Sequence, residues 1–455
     1  MSRRPPPRRQ SPDPARRVAF DALRKVQAED AYANLVLPAA LTQRGLTGRD
    51  AAFATELLAG TCRGQGSYDR IIEAASGRVT GSLQPAVVDL LRLGTHQLLA
   101  MRVPAHAAVA ATVDLAAATV GERVTGLVNA VLRKVAAHSW QEWVARLTQD
   151  LAPIEALAMA TAHPVWVVQA YADLLPAEEL EPALLANNVA APVSLVVRPG
   201  LADLTDLLMA GAEPGRWSPY AARWSGNPAD LAAVRDGTAG VQDEGSQLTA
   251  WGLSRLEPAA GDGPGWWLDL CSGPGGKSAL LAGLAAQQSD RLVAAELAPH
   301  RARLVQQALR AYPDPPTVVV ADSTRPAWRP GTFARVLADV PCTGLGSLRR
   351  RPESRWRRRA AEIDQLHALQ VVLLRSALEA VTAGGAVAYL TCSPHRRETS
   401  EVVSDVLADR ADVEVVPAAS VLPELPPDAF AGPYLQLWPH RHGTDAMFAA
   451  YLRRT

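Results

Sequence analysis

The sequence predicts an α/β protein: a parallel sheet covered by helices on both faces, preceded by an all-helical domain and a small α/β connector. Three observations predict it. From about residue 236 onward, short apolar runs of strand length alternate with longer helical stretches. Residues 16–145 carry apolar residues three and four apart and no strand-like runs. Between them, 146–235 mixes the two patterns.

The first fifteen residues open as MSRRPPPRRQ; prolines and closely spaced arginines predict a disordered basic tail. No apolar stretch follows it, so it is not read as a signal peptide. In 16–145, RRVAFDALRKV, DAAFATELLAGTCR and PAVVDLLRLGTHQLLAM each show one apolar face, and turn signals such as Arg44-Gly45 and Gly121-Glu122 separate the helices. In 146–235, HPVWVVQAYADLL reads as a helix, PVSLVV as a strand and PADLAAVRDG as a short helix. In 236–455 the strands are WWLDL, RLVAAE, TVVVAD, RVLADV and AVAYLT, with AMFAAYLRR as a last strand at the sheet edge.

The chain has 455 residues, 48% of them hydrophobic, enough for two or three cores. Net charge is zero, so overall charge says nothing about a nucleic-acid partner, and any such contact must come from local patches. No apolar run is long enough to cross a membrane. Four cysteines, Cys62, Cys271, Cys342 and Cys392, in so long a chain do not suggest a disulfide framework, and the lack of a C-x-x-C pair argues against a zinc site. The chain is expected to be a cytoplasmic monomer with reduced thiols and no metal.

Ligands of such sheets sit beyond the carboxyl ends of the strands. After the first strand comes a glycine-rich loop, Cys271, Ser272, Gly273, Pro274, Gly275, Gly276 and Lys277, whose glycines let backbone approach a ligand. Lys277 is one of only three lysines among 46 basic residues, and a compact ammonium fits such a loop better than a guanidinium. The next strands end at Glu296, Asp322 and Asp339. Three carboxylates along one edge suit a nucleoside with a cationic centre, though each alone is more often a turn or helix cap. Gly276-Lys277-Ser278 also resembles the end of a phosphate-binding loop. That motif needs glycine where this chain has Cys271, and Pro274 removes an N–H, so nucleotide hydrolysis ranks well below.

The most informative residues are two cysteines at neighbouring strand ends: Cys342 in DVPCTG and Cys392 in LTCSP. Free cysteine is usually a small buried hydrophobe, the reading given to Cys62 within a helix. Two thiols beside a cofactor loop suit a different chemistry. Carbon 5 of cytosine is too weak a nucleophile to accept a methyl group directly. A thiolate adding at carbon 6 makes carbon 5 enamine-like, and its later release needs assistance. After Cys342 comes a basic run, Arg349, Arg350, Arg351, Arg355, Arg357, Arg358 and Arg359 with Trp356 among them, that suits phosphates and a stacked base.

These motifs resemble the RNA cytosine-5 methyltransferases, specifically the bacterial Sun/Fmu family that modifies 16S ribosomal RNA. DLCSGPGGKS resembles the family's first motif, DVPCTGLGSLRRRPESRW its fourth, YLTCS its sixth, and GVQDEGSQL its approach to the catalytic domain. The resemblance implies a Rossmann-like S-adenosylmethionine-dependent domain with Cys392 as nucleophile and Cys342 as the residue that aids product release. Cofactor contacts carry over to Cys271 through Lys277, Glu296, Asp322 and Asp339. GRDAAFATELLAGTCRGQGSYD and LVNAVLRKV resemble the NusB-like RNA-binding fold. The chain departs from the family in three places: Ser272-Gly273 replaces two alanines, Glu296 stands for Asp, and GTDAMF stands for DGFF. A transfer-RNA methyltransferase and a non-catalytic RNA-binding adaptor remain as alternatives.

Overall fold

A computed structural model describes residues 12–257 and 265–455. The chain divides into two compact units. One takes the chain up to Ala172, with Ala177–Asn188 and Arg350–Arg358; the other takes the rest.

The first unit is helical, with its principal helices at Pro14–Ala28, Ala33–Gln43, Gly48–Ser76, Pro85–Leu99, Ala105–Thr119 and Thr125–Val135. Pro14 at the first helical turn and the Asp13 carboxylate, accepting from Arg16 N at 2.8 Å, start the first helix. Gly77, at φ +71°, ends the 29-residue third. Leu23, Leu57, Leu58, Ile71, Leu90, Leu91, Val128 and Leu132 are buried between them. Cys62 lies in the same core, fully buried, and burial pushes its thiol well up, so it is a packing residue.

The expected connector, 146–235, is divided in the structure. Four more helices, Trp140–Leu147, Pro153–Thr161, Val165–Ala172 and Ala177–Ala186, continue the helical unit. Ser67 Oγ in the long third helix donates to Met159 O at 3.0 Å, which ties the new helices to the bundle. The remainder joins the second unit as a small antiparallel sheet of β1 (Val193–Val197), β2 (Glu213–Pro214), β3 (Ala221–Trp224) and β4 (Ala239–Val241), in the order β2-β3-β1-β4. Gln247, fully buried, holds this sheet to the following helix, Glu244–Ser254. Its amide nitrogen donates to Leu195 O and Gln242 O, both at 3.1 Å, and its oxygen accepts from Ser218 Oγ at 2.9 Å.

The large sheet contains β5 (Trp266–Asp269), β6 (Arg291–Glu296), β7 (Thr317–Val320), β8 (Phe333–Asp339), β9 (Val381–Thr391), β10 (Val413–Val416), β11 (Phe430–Ala431), β12 (Tyr434–Gln436) and β13 (Phe448–Arg454). Its order is β11-β12-β13-β9-β8-β5-β6-β7, with β10 also on β13. Strands β5 to β9 are mutually parallel, and the order reverses between β5 and β8, the switch point where such sheets bind ligands. Alternate residues face two cores. Trp267, Leu337 and Ala388 pack with the helices Glu244–Ser254 and Gly276–Gln287. Leu268, Val336 and Tyr389 pack with Glu362–Ala380 and Ser400–Leu407.

Two expectations are corrected here. The sheet is mixed, because β13 runs antiparallel to β9. Nor is β13 at the edge: β9 flanks one side, and β12 and β10 share the other. Five consecutive buried residues, Phe448–Leu452, suit a strand covered on both faces.

Candidate active site

β5 ends at Asp269, and the chain turns sharply before the helix Gly276–Gln287. Ser272 N and Oγ both donate to Ala295 O at 2.9 Å, pinning the loop to β6. Gly273 N donates to Glu296 Oε2 at 2.9 Å. A Cβ on Gly273 would lie 2.2 Å from that oxygen, so only glycine permits the approach. Gly275 has φ +106°, and a Cβ there would meet Ala308 Cβ at 2.7 Å. Glu296 is 4% exposed and also accepts from Ala298 N at 3.0 Å. Burial pushes the Cys271 thiol up, so it stays protonated. Asp322 is exposed and accepts from Thr324 N at 3.0 Å and Thr324 Oγ1 at 2.6 Å, an Asx turn that holds its carboxyl below the usual range.

Lys277 Nζ donates to Asp339 Oδ2 at 2.9 Å, joining the loop to the end of β8. Burial pulls the ammonium down, but Asp339 and Cys392 outweigh it, and Lys277 is held above its ordinary value.

β8 and β9 pair with Asp339 opposite Leu390, and Val340 N donates to Leu390 O at 3.1 Å. Cys342 and Cys392 emerge just beyond, with their sulfurs 3.4 Å apart. The hydrogen bond to Cys392, burial, and the charges of Cys392, Glu398 and Asp339 hold Cys342 well above the usual thiol range. The backbone locks the thiol loops together: Gly346 N donates to Cys392 O at 2.8 Å and Ala446 N to Gly346 O at 2.9 Å. A Cβ on Gly346 would lie 2.0 Å from Ala446 O. The unusual GTDAMF segment therefore backs the cysteine loops.

The arginine run is not one solvent-facing patch. Arg349 is buried, with Nε 3.1 Å from Asp445 and Nη2 donating to Gly443 O at 2.8 Å. In the helical unit, Arg355 is fully buried and donates to Ala162 O at 2.6 Å, Asn188 Oδ1 at 2.7 Å and Asn187 O at 3.3 Å. Burial pulls it down to about 9. Trp356 Nε1 donates to Arg63 O at 3.1 Å, and its ring fills the space beside Gly66. Arg357 donates to Val26 O, Asp30 O and Ala31 O. The expectation of a continuous RNA-facing run is thus corrected at Arg349, Arg355, Trp356 and Arg357, whose polar groups are taken up by carbonyls and carboxylates of the protein. Arg350 and Arg358 are half-buried, while Arg351 and Arg359 are exposed.

Sequence reasoning missed Glu398, a fully buried carboxylate that accepts from Thr343 and Ser393. Its one sequence signal is an acidic residue six positions after Cys392. Among the described residues no group of three or more His, Cys, Asp or Glu could hold a metal ion, and no helix is long and apolar enough to cross a membrane.

The sheet, with its Rossmann-like switch point, has the fold of a methyltransferase, and the comparisons with known proteins agree. The model of the 16S rRNA methyltransferase RsmB/F family matches residues 254–453, and the NusB family model matches 13–137. The putative methyltransferase Rv1407 of Mycobacterium tuberculosis is 50% identical over 454 residues, covering 98% of each chain. The ribosomal RNA small subunit methyltransferase B of Serratia proteamaculans is 30% identical over 447 residues, covering 96% of this chain and 98% of that one. The crystal structure of PH0851 shares the fold, with a TM-score of 0.80 and 21% identity over 98% of this chain and 100% of that one. The chain belongs to the RsmB/F family of RNA methyltransferases, with a NusB domain at its amino-terminal side. S-adenosylmethionine is its methyl donor. Membership in this family removes the nucleotide-hydrolase alternative.

Proposed function

We propose that this chain methylates carbon 5 of a cytosine in small-subunit 16S ribosomal RNA through a transient bond between Cys392 Sγ and carbon 6 of the base. The observation that carries the reading is the meeting of two thiols, 3.4 Å apart, beside the Lys277–Asp339 pair. The names of relatives such as the Serratia enzyme support the ribosomal substrate.

Bound S-adenosylmethionine supplies an electrophilic methyl group on a sulfonium. The loop Cys271–Lys277 is assigned to its methionine end; Gly273 lets the loop backbone close on Glu296, and Gly275 lets it pack on the helix Pro299–Leu309. Glu296 can accept the ribose hydroxyls through its remaining lone pairs. Asp339, at the end of β8, and the exposed Asp322, just beyond β7, stand at the same carboxyl edge and are assigned to the cofactor's remaining polar groups.

Lys277 places positive charge beside Cys392 and favours its thiolate. That thiolate adds to carbon 6, and the displaced π electrons make carbon 5 the nucleophile that takes the methyl. The carbon 5 proton then leaves to a base, its bonding pair restores the double bond, and the thiolate is expelled. Cys392 begins and ends as thiolate, so one proton is released per methyl transferred. Cys342 is placed for the second half. The hydrogen bond and the charge of Cys392 both raise it, and both vanish when the Cys392 sulfur becomes a neutral thioether. Cys342 thus holds its proton before the attack and loses it to solvent more readily afterwards; its thiolate then takes the carbon 5 proton, which leaves one proton released per methyl transferred. Arg351 and Arg359 offer exposed cations to phosphates, with Arg350 and Arg358 beside them in the chain.

The test is methylation of unmodified 16S RNA with labelled S-adenosylmethionine, followed by digestion to nucleosides. The label should appear in 5-methylcytidine, and none should form with Cys392→Ala. Label in another nucleoside would overturn the target atom. Label in transfer RNA alone would overturn the substrate, and a fully active Cys392→Ala would overturn the adduct.

A further inference from the structure

We propose that Glu398 is a positioning residue for methyl transfer: one buried carboxylate that grips the loops of both cysteines and sets how closely their sulfurs meet. The proposal rests on the reading of those thiols as the reacting pair.

Glu398 has no exposed surface. Its Oε1 accepts from Thr343 N at 2.7 Å and from Gln370 Nε2 at 3.3 Å. Its Oε2 accepts from Thr343 Oγ1 and, at 2.6 Å, from Ser393 Oγ. Thr343 follows Cys342 and Ser393 follows Cys392, so the residue next to each thiol is bonded to the same carboxylate. Gln370 extends the grip to the other side of Cys342, donating to Pro341 O at 2.8 Å. Tyr389 OH, from within β9, donates to Glu398 O at 2.8 Å and fixes its backbone.

A buried carboxylate is costly unless it is fully hydrogen-bonded or paired. Among the described residues Glu398 makes no ion pair; neutral donors alone hold its charge. A neutral amide could join the same loops without that cost, so the retained charge points to a use. It lies near Cys342 and opposes ionisation there, while Lys277 lies near Cys392 and favours it. Asp339 adds to the effect of Glu398 at Cys342, and these fixed charges together bias the shared proton toward Cys342 and leave Cys392 as the nucleophile.

Two variants of the full chain separate the grip from the charge. In Glu398→Gln the amide oxygen can face Thr343 N–H while its NH2 donates to the two hydroxyl oxygens, so the grip persists without charge. Glu398→Ala removes both. Three measurements are compared with wild type. The first is the rate at which diamide, which takes up two electrons and two protons, links Cys342 to Cys392, read by peptide mass spectrometry without RNA or cofactor. The second is the pH profile of Cys342 alkylation, and the third is kcat against KM for each substrate.

Glu398→Ala should cross-link roughly tenfold more slowly and lose about a hundredfold in kcat, with KM for S-adenosylmethionine little changed. Glu398→Gln should cross-link at close to the wild-type rate, with Cys342 alkylation moved to lower pH and kcat down about tenfold. Wild-type cross-linking and kcat in Glu398→Ala would overturn the proposal. So would wild-type behaviour of Glu398→Gln in all three measurements, which would make the carboxylate a packing group. Cross-linking reports thiol spacing without any methylation. If Cys392→Ala proves active, the nucleophile assignment fails, and the role of Glu398 in spacing is still judged separately.

Discussion

The sulfurs of Cys342 and Cys392 lie 3.4 Å apart, although fifty residues of chain separate them. Parallel pairing of β8 with β9 brings the strand ends level, and Gly346 closes the gap by donating from its backbone to Cys392 O. At that spacing two thiols share protons, and a charge placed beside one is felt by both. The residues that bias the pair are therefore the places to test.

Lys277 is the first. Replacing it with Met removes the cation beside Cys392 and leaves Asp339 without its partner at 2.9 Å. The expected result is a fall in kcat of about a hundredfold, with slower alkylation of Cys392 at neutral pH. Lys277→Arg should restore little, because a planar fork does not replace a compact ammonium in a glycine-rich turn. Steady-state kinetics and thiol mapping check both.

Gly273→Ala tests the cofactor loop. The new Cβ would sit 2.2 Å from Glu296 Oε2, so the loop or the carboxylate must move and the bond between them breaks. Calorimetry should show S-adenosylmethionine affinity reduced by roughly tenfold or more, while RNA affinity is unchanged.

Asp269 makes stability depend on pH. Burial, against the hydrogen bond from Ser278, raises its carboxyl from 3.8 to about 7. A raised carboxyl favours the folded state while it is protonated in both states. That contribution is fully present below the ordinary value and is lost as pH rises through about 7. Between pH 5 and pH 8, Asp269→Asn should remove on the order of 3 kcal/mol of that pH dependence, the part of the window that lies above pH 5. Urea unfolding of both proteins at pH 5 and pH 8 measures the difference.

The arginine run should divide by burial. Arg355→Gln leaves acceptors at Ala162, Asn187 and Asn188 short of donors and should cost about 2 kcal/mol of stability. The same change should leave the salt dependence of RNA binding as it was. Arg351→Ser and Arg359→Ser should each flatten that dependence by roughly 0.7 log units of slope for single-stranded contacts.

Much of this was legible in the chain. WWLD, RLVAAE and FARVLAD are strands because apolar runs of that length between helices can be buried on both faces, and their ends gave the loop and both cysteines. The place of β13 differs from the expectation because an unbroken apolar run marks a strand covered on both faces but does not tell which strands lie beside it. The helices from Pro153 to Ala186 fall within the expected connector because one strand-like run, PVSLVV, lies close behind them. Arg355 reads as solvent-facing in the sequence because its partners are carbonyls some 170 to 190 positions earlier, which no charge pattern reveals. Glu398 was missed for the same kind of reason: its donors come from three separate elements.

The most direct test of the central assignment is covalent trapping on denaturing gels. Cys342→Ala incubated with target RNA and S-adenosylmethionine should form a stable protein–RNA complex, since attack proceeds and release is slow. Cys392→Ala should form none, even with 5-fluorocytosine at the target, where wild type is trapped because fluorine cannot leave as a proton does. Trapping by Cys392→Ala and none by Cys342→Ala would reverse the two roles, and wild-type methylation by both variants would contradict covalent catalysis altogether.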